Sequence, residues 1–459
     1  MNENAGPTVM KFGGTSVGDV AAFQRVCDIV SSQSDRQPVV VTSAMTKMTD
    51  ALLAAFETAR KGDAETAFES LEPHFARHAE VVESLVSADN KPAFTAELRF
   101  AREELSDLLT RVARRSLPLQ MLKDAVVSYG EQLSSRLLTD VLRSHDVNAR
   151  HMDSRRLIVT DDEYGAAQPI WDETRALIRD ELRPLIAARE VPILGGFIAA
   201  SRAGETTTLG RGGSDYSGAI YAACLEAREL QIWTDVTGVL TCDPRVCPEA
   251  RTLRTLSYEE AAELAYFGAK VLHPKTIQPA VDLEIPVRVC NSREPNEQGT
   301  MVLPAAKSTP RKIKSIAHKT GITVLHITSA RMLGAYGFMS AIFQIFERHR
   351  TVVDVVTTSE VSVSLTLDNT AALDAVVADL TRIGSVDIER DQAIICLVGS
   401  GLRNTAGVAA QIFSAIADFN VSMISHGASG VNMTFVVDQG VVKDVITKLH
   451  QTFFTEENR

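Results

Sequence analysis

Apolar positions along this chain follow two periods in turn. Residues 8–12 (TVMKF) and 38–44 (PVVVTSA) are short β-branched runs, and between them Val20, Phe23, Val26, Cys27 and Val30 recur at helical spacing. The pattern predicts a strand–helix–strand unit of the size that builds a parallel sheet. Residues 50–116 are charged and nearly free of glycine, which reads as an all-helical segment covering one side. Alternation then resumes, with 119–145 and 173–188 as helices and 191–201 (VPILGGFIAAS) as a strand and its exit. SGAIYAACLEA (217–227) reads as a helix, and LQIWTDV (230–236) and IPVRVCN (285–291) as strands. Such alternation predicts an α/β domain over residues 1–293, a mostly parallel central sheet with helices on both faces. Residues 294–312 carry three prolines and a glycine among polar positions and read as a linker.

Beyond the linker the chain repeats itself. An ungapped shift of 70 places Gly337-Phe338 on Gly407-Val408, Ile342-Phe343 on Ile412-Phe413, Ser359 on Ser429 and Asp368 on Asp438. Each copy reads strand, glycine-bearing loop, helix, strand, turn, alternating strand, helix. Two α+β ferredoxin-like βαββαβ units are expected, at 313–388 and 389–459, with strand exchange between them left open. Two copies are too few for a solenoid, which needs about three to bury its faces. The pair is read as a ligand-sensing or dimerising module.

Composition narrows the function. At 459 residues the chain exceeds one ordinary core and fits two or three domains. A net charge of -11 argues against a nucleic-acid-binding surface while leaving room for a local basic site. No stretch approaches the roughly 18 apolar residues of a membrane helix, and no secretory leader is read at the start. A cytoplasmic protein with no nucleic-acid or membrane partner is expected. The six cysteines are scattered, and Cys242 and Cys247, though close, lack the paired spacing of a zinc site. Six reduced thiols and no metal-ligating set are therefore expected.

VMKFGGTSVG (9–18) ends its strand on Lys11 and follows with Gly13 and Gly14. It is neither a Walker A loop, whose lysine follows the glycines, nor a G-x-G-x-x-G loop. The glycines let backbone approach a ligand, the helix N-terminus beyond favours phosphate, and Lys11 adds a full charge. In TTTLGRGGSDYSGA (206–219), Arg211 is framed by Gly210, Gly212 and Gly213, a setting for a planar fork that grips two oxygens at once. Ser214 and Asp215 open the next helix, Ser214 as a candidate cap. WTDVTGVLTCDPR (233–245) ends a strand at Thr234-Asp235, the strand end at which open α/β sheets bind ligands. Glu131, in YGE, lies on an amphipathic helix where spacing alone slightly favours a solvated face. In FGAKVLHPKTI (267–277), Lys270 and His273 precede a proline placed to start a helix, and the histidine reads as structural.

Lysines, an arginine, glycine loops and helix N-termini, with few general bases, point to phosphoryl transfer, where positioning and charge neutralisation dominate. A hydroxyl acceptor wants a base. A carboxylate, already ionised near neutral pH, needs only relief from repulsion by the triphosphate.

KFGGTSV, TLGRGGSDYS, WTDV…DPR and KVLHP, in that order, resemble the aspartate kinases of the amino-acid kinase superfamily. GF…F…H…D…TTSEVS resembles the first of that family's two regulatory ACT domains. The similarity covers essentially the whole chain and is to the monofunctional, lysine-sensitive type, since no dehydrogenase domain follows. It implies an amino-acid kinase fold followed by two ACT domains. The implied reaction uses ATP and Mg2+ to phosphorylate L-aspartate on its side-chain carboxylate, the first step toward lysine, threonine and methionine. An end-product amino acid, lysine favoured, is the implied effector, and a homodimer or dimer of dimers the implied assembly.

Residue by residue, the resemblance implies that Lys11 neutralises the transferring phosphoryl group and that Asp215 orients it and helps organise the metal-nucleotide. Arg211 would grip the α-carboxylate of aspartate and Glu131 its ammonium; Ser43, Thr49 and Ser214 would complete the substrate site, with Phe197 as a wall. Gly13, Gly14, Thr234, Asp235, Arg245 and Lys270 would meet the nucleotide. Met332, Gly337, Phe338, Asp354, Ser359 and Glu360 match the effector-binding pattern. Leu240 stands where the family often has tyrosine, which implies weaker adenosine stacking. Gly334 and Ala335 stand where lysine-sensitive members carry histidine and serine, so altered effector sensitivity stays open. A kinase for another acidic amino acid such as glutamate, and a catalytically silent ACT sensor, are the alternatives. The presence of Lys11, Asp215 and Arg211 together weighs against the sensor.

Overall fold

The computed structural model describes residues 6–268, 272, 274–305, 312–334 and 336–454. Lys270, His273 and Ala335 lie outside the described residues. Two compact units emerge. The first comprises Met1–Val239, Arg254–Tyr258 and Val271–Ser308; the second comprises Leu240–Leu253, Glu259–Lys270 and Thr309–Arg459.

In the first unit the strands are β1 (Thr8–Phe12), β2 (Pro38–Thr42), β3 (Ala149–Met152), β4 (Val159–Thr160), β5 (Val191–Gly195) and β6 (Ile198–Ser201). They continue as β7 (Thr206–Thr208), β8 (Glu229–Thr234), β9 (Thr255–Ser257), β10 (Val287–Asn291) and β11 (Thr300–Leu303). Eight of them form one sheet in the order β3-β5-β2-β1-β8-β10-β11-β9, parallel except where β11 meets β10. Every residue of β1 and β2 is buried, as befits central strands covered on both faces. β4, β6 and β7 make a small second sheet.

Helix α1 (Val20–Ser32) starts where the Asp19 carboxylate accepts the Ala22 N–H at 2.8 Å, and it buries Phe23, Val26, Cys27 and Val30. The charged stretch after β2 is all helical: α2 (Met48–Arg60), α3 (Ala64–Glu69), α4 (Glu72–Leu85) and α5 (Lys91–Arg114). Where one helix was expected over 119–145, two occur, α6 (Leu119–Val127) and α7 (Tyr129–Ser144), followed by α8 (Trp171–Ala187) and α9 (Gly213–Leu225). The apolar run 191–201 divides between two sheets, because Gly196 and the positive-φ Phe197 (φ 66°) turn the chain after β5.

The linear boundary expected near residue 293 is not the compact one. The linker stretch holds β11, which closes the sheet edge between β10 and β9. Conversely, Leu240–Leu253 and most of α10 (Tyr258–Tyr266) group with the C-terminal residues, while α11 (Pro274–Asp282) stays with the first unit. The physical reason is apolar: Cys242 and Cys247 are buried in the same cluster as Ile316, Leu397, Phe435 and Leu449.

The second unit carries β12 (Ser315–Thr328), α12 (Phe338–Arg348), β13 (Val356–Thr358), β14 (Ser362–Leu367), α13 (Leu373–Leu380) and β15 (Ser385–Val398). The second copy follows with α14 (Val408–Ala415), β16 (Met423–His426), β17 (Asn432–Asp438) and α15 (Val442–Phe453). All six strands form one antiparallel sheet, β13-β14-β12-β15-β17-β16. The two long strands, β12 and β15, pair through both copies with a register shift between Lys319 and Val324. Before that shift, Ser315–Lys319 supply the second copy with its fourth strand. The repeat's glycines act alike, since Gly337 and Gly407 cap α12 and α14 at φ 81° each, a conformation natural to glycine.

Candidate active site

Parallel register sets four strand ends of the first unit side by side. Phe12 lies opposite Thr42 and Trp233, and Thr42 lies opposite Gly195. The chain leaving β1, β2 and β5, with the loop into α9, encloses a cavity of ≈ 420 Å³. Lys11, Ser43, Thr49, Glu131, Phe197, Arg211, Ser214 and Asp215 all line it, as does Gly14.

Lys11 is 9% exposed at the end of a buried strand, and its Nζ lies 2.7 Å from Asp215 Oδ1. Gly218 of α9 leaves room for the lysine stem, since a Cβ there would lie 3.3 Å from that of Lys11. Gly14 also serves the chain itself: a Cβ would sit 2.9 Å from the Ala44 carbonyl oxygen, whose neighbour Thr46 donates its hydroxyl to the Gly14 carbonyl at 2.7 Å. Ser214 is not the cap it resembled. Gly212 (φ 73°) occupies that place with no side-chain hydrogen bond, and Ser214 stands within the first turn.

Glu131 reverses the reading from helical spacing. It is 3% exposed on the buried face of α7, and the Ala44 N–H donates to it, while Oε2 has no partner among the described residues. Burial outweighs that bond and the nearby Lys11 charge, holding the carboxyl up at about 8. Such a group is short of one cation.

Three contributors were missed from sequence. Asp124, 1% exposed on α6, accepts the N–H groups of Gly165 and Thr208 at 2.8 and 2.9 Å and so anchors the chain that enters the arginine loop. Arg77 of α4 donates to the Thr46 and Gly18 carbonyls, joining the loops after β2 and β1. Lys47 (φ 65°) lines the cavity from the start of α2. An aspartate beside an apolar helical face was a readable signal for the first; the other two left none.

The expected nucleotide residues are more scattered. Thr234 and Asp235 stand at the end of β8, outside the cavity lining, with the threonine hydroxyl donating to the aspartate at 3.2 Å. Gly13 donates its N–H to the Trp233 carbonyl at 3.0 Å. Arg245 belongs to the second unit and forks onto Asp243, its Nη2 2.7 Å from Oδ2.

Within the second unit, Met332, Gly337, Phe338, Ser359 and Glu360 line a cavity of ≈ 570 Å³ at the start of α12. Asp354 does not line it; its carboxylate accepts from the Tyr266 hydroxyl at 2.6 Å and from Lys319 Nζ at 3.3 Å. Gly334 (φ 65°) has open space where a Cβ would project. All six cysteines are free and buried. No helix among the described residues is long and apolar enough to cross a membrane.

These are the parts of a phosphotransferase built on the fold of the amino acid kinase family, whose model matches residues 6–291; an ACT domain model matches residues 395–453. Lysine-sensitive aspartokinase 3 of Escherichia coli is 37% identical over 454 residues, covering 97% of this chain and 99% of the relative. Aspartokinase 1, chloroplastic, of Arabidopsis thaliana is 37% identical over 470 residues, 97% of this chain and 80% of the relative. Among solved structures, E. coli aspartokinase III in complex with lysine and aspartate (T-state) gives a TM-score of 0.84 at 36% identity, covering 98% of this chain and 100% of that one. With relatives so similar over nearly all of this chain, the chain belongs to the aspartokinases.

Proposed function

We propose that this chain transfers the γ-phosphoryl group of ATP to the side-chain carboxylate of L-aspartate, giving 4-phospho-L-aspartate and ADP, under feedback by lysine. One observation carries the substrate reading: a buried carboxylate lacking a partner at Oε2, Glu131, shares a cavity with the Arg211 guanidinium. A free α-amino acid offers an ammonium to the first and an α-carboxylate to the second. Glutamate satisfies the same two groups, and the aspartokinase relatives favour aspartate. E. coli aspartokinase III has been solved in complex with aspartate and ADP (R-state), which supports the same pair of ligands here.

In the proposed reaction a side-chain carboxylate oxygen attacks the γ-phosphorus in line. The new O–P bond forms as the bond to the β,γ-bridging oxygen breaks, and ADP departs with that electron pair. No proton has to be removed. The Lys11 ammonium, steadied by Asp215 at 2.7 Å, offsets charge on the transferring oxygens. Ser43, Thr49 and Ser214 offer hydroxyls to the substrate, and Phe197 walls the cavity from a left-handed conformation that costs it about 1–3 kcal/mol. Gly13, Gly14, Thr234, Asp235, Arg245 and Lys270 are assigned to the nucleotide. Mg2+ bound with the nucleotide would supply further charge neutralisation, with Asp215 the residue assigned to help organise it.

For feedback, the cavity beside α12 sets a helix N-terminus, favourable to an α-carboxylate, near Glu360, favourable to an ammonium. Bound lysine regulates by its different affinity for two states of the protein. The E. coli aspartokinase III complex with lysine supports this effector. The test is hydroxylamine trapping of acyl phosphate with ATP, Mg2+ and either aspartate or glutamate, each with and without lysine. Product from aspartate, suppressed by lysine, is expected. Product from glutamate alone would reassign the substrate, and none from either would leave an amino-acid sensor. Unsuppressed product would sink the feedback reading.

A further inference from the structure

Cys242, Cys247 and His450 are 4%, 2% and 4% exposed, and they come from places some 200 residues apart in the chain. One ligand atom from each lies within 4.8 Å of the other two. We infer that these three residues form a binding site for a thiophilic divalent cation, Zn2+ by preference, with the fourth coordination position left to solvent.

The surrounding structure holds the donors in place. Both cysteines sit on the Leu240–Leu253 segment, which folds back on itself: Thr241 donates its N–H to the Arg251 carbonyl at 2.8 Å, and Leu240 bridges Thr252. A tight turn follows, in which the Val246 and Cys247 N–H groups both donate to the Asp243 carbonyl, at 3.0 and 2.9 Å. That turn brings the second thiol back beside the first, and Cys242 Sγ lies 3.9 Å from the Cys247 carbonyl oxygen. His450 reaches them from the last turn of α15. Its ring is fixed on two sides, by the Thr241 hydroxyl 3.0 Å from Nε2 and by stacking on Phe454 with centroids 4.7 Å apart. An outer partner of this kind is what orients a ligating imidazole. Cys247 Sγ already points a donor at Glu249 Oε2, 3.3 Å away. All three ligands belong to the second unit.

The donor set selects the ion. Two thiolates and an imidazole suit Zn2+ or Co2+ in tetrahedral geometry and do not suit Mg2+ or Ca2+, which take oxygen ligands. Binding releases the two thiol protons to solvent as the Zn–S bonds form. The ion would tie the loop bearing Arg245 to α15 of the second copy, a cross-link within one unit. The competing account is that two cysteines serve as small apolar side chains in the core they share with Leu402 and Ile446.

The decisive measurement uses the full-length chain, stripped of metal by chelation under reducing conditions and titrated with Co2+. A thiolate-to-cobalt charge-transfer band saturating at one equivalent, then displaced by Zn2+, is expected. Cys242→Ser and Cys247→Ser should each weaken Zn2+ binding by about tenfold or more against a chromophoric chelator. His450→Gln should do the same while keeping both thiols. If a variant fails to fold, the wild-type cobalt spectrum still decides. No charge-transfer band, a band that survives in the double serine variant, or a Cys242–Cys247 disulfide recovered in place of metal would overturn the site.

Discussion

Replacing Glu131 with glutamine separates what the residue does for stability from what it does for substrate. In the free protein the carboxyl is held at about 8 against an ordinary 4.5, chiefly by burial. Below about pH 4.5 folded and unfolded chains are both protonated there, and no penalty exists. Above it the unfolded chain releases its proton first, so stability declines until the pH passes about 8 and then levels. At about 1.4 kcal/mol per unit, the full displacement corresponds to roughly 5 kcal/mol of lost stability. Glu131→Gln should therefore stabilise the ligand-free protein increasingly from about pH 5 to pH 8, read by calorimetric unfolding across that range. Saturating aspartate should narrow the difference for the wild type, because its ammonium supplies the absent partner. Activity should move the other way. With roughly a tenth of Glu131 ionised at pH 7 and half at pH 8, kcat/KM for aspartate should rise roughly fivefold over that interval. The glutamine variant should lose that rise and fall roughly tenfold to a hundredfold, as befits a lost charge-assisted bond. A stability difference independent of pH, or a rise near pH 8 that survives in Glu131→Gln, would refute the reasoning.

Lys11→Ala should reduce turnover by about a hundredfold or more with an unchanged circular dichroism spectrum; near-normal turnover would remove the charge-neutralising role. Arg211→Ala should raise the KM for aspartate about tenfold or more while sparing that for ATP, and a selective ATP defect would overturn the assignment. Asp124→Ala strands two buried N–H donors and should cost about 2–4 kcal/mol in urea unfolding. Gly212→Ala meets both a φ of 73° and Thr276 Cγ2 at 2.6 Å, so it should cost about 1–3 kcal/mol and raise the aspartate KM by displacing Arg211. Unchanged unfolding curves for either variant would contradict the packing described.

What could be read from sequence was what local pattern determines. β1, β2 and α1 announce themselves through short β-branched runs and apolar positions at helical spacing, and the ungapped repeat aligned the two glycines that cap α12 and α14. Lys11 was conspicuous for the same reason, since a charge at the end of a buried run contradicts its surroundings and such contradictions concentrate at functional sites. β11 was hidden by the prolines on either side of it, because a strand that exists through pairing with β10 and the more distant β9 needs little signal of its own. Glu131 shows where local reasoning inverts. Its helix is amphipathic, yet the side that looked solvated is covered by the β2 exit at Ala44, and a Cβ on neighbouring Gly130 would meet Ala44 Cβ at 2.7 Å. The same tight packing removes water from Glu131 and leaves a carboxylate that only a ligand can satisfy. Cys242, Cys247 and His450 carry the point further. Four residues separate the two cysteines, at the wide end of zinc-ligand spacings, no second Cys or His pair follows, and the histidine lies on the last helix. Spacing rules detect metal sites built by one hairpin or loop; a site assembled from a loop and a remote helix becomes visible when the fold brings its donors together. The lack of a second paired motif in sequence therefore said nothing against a site.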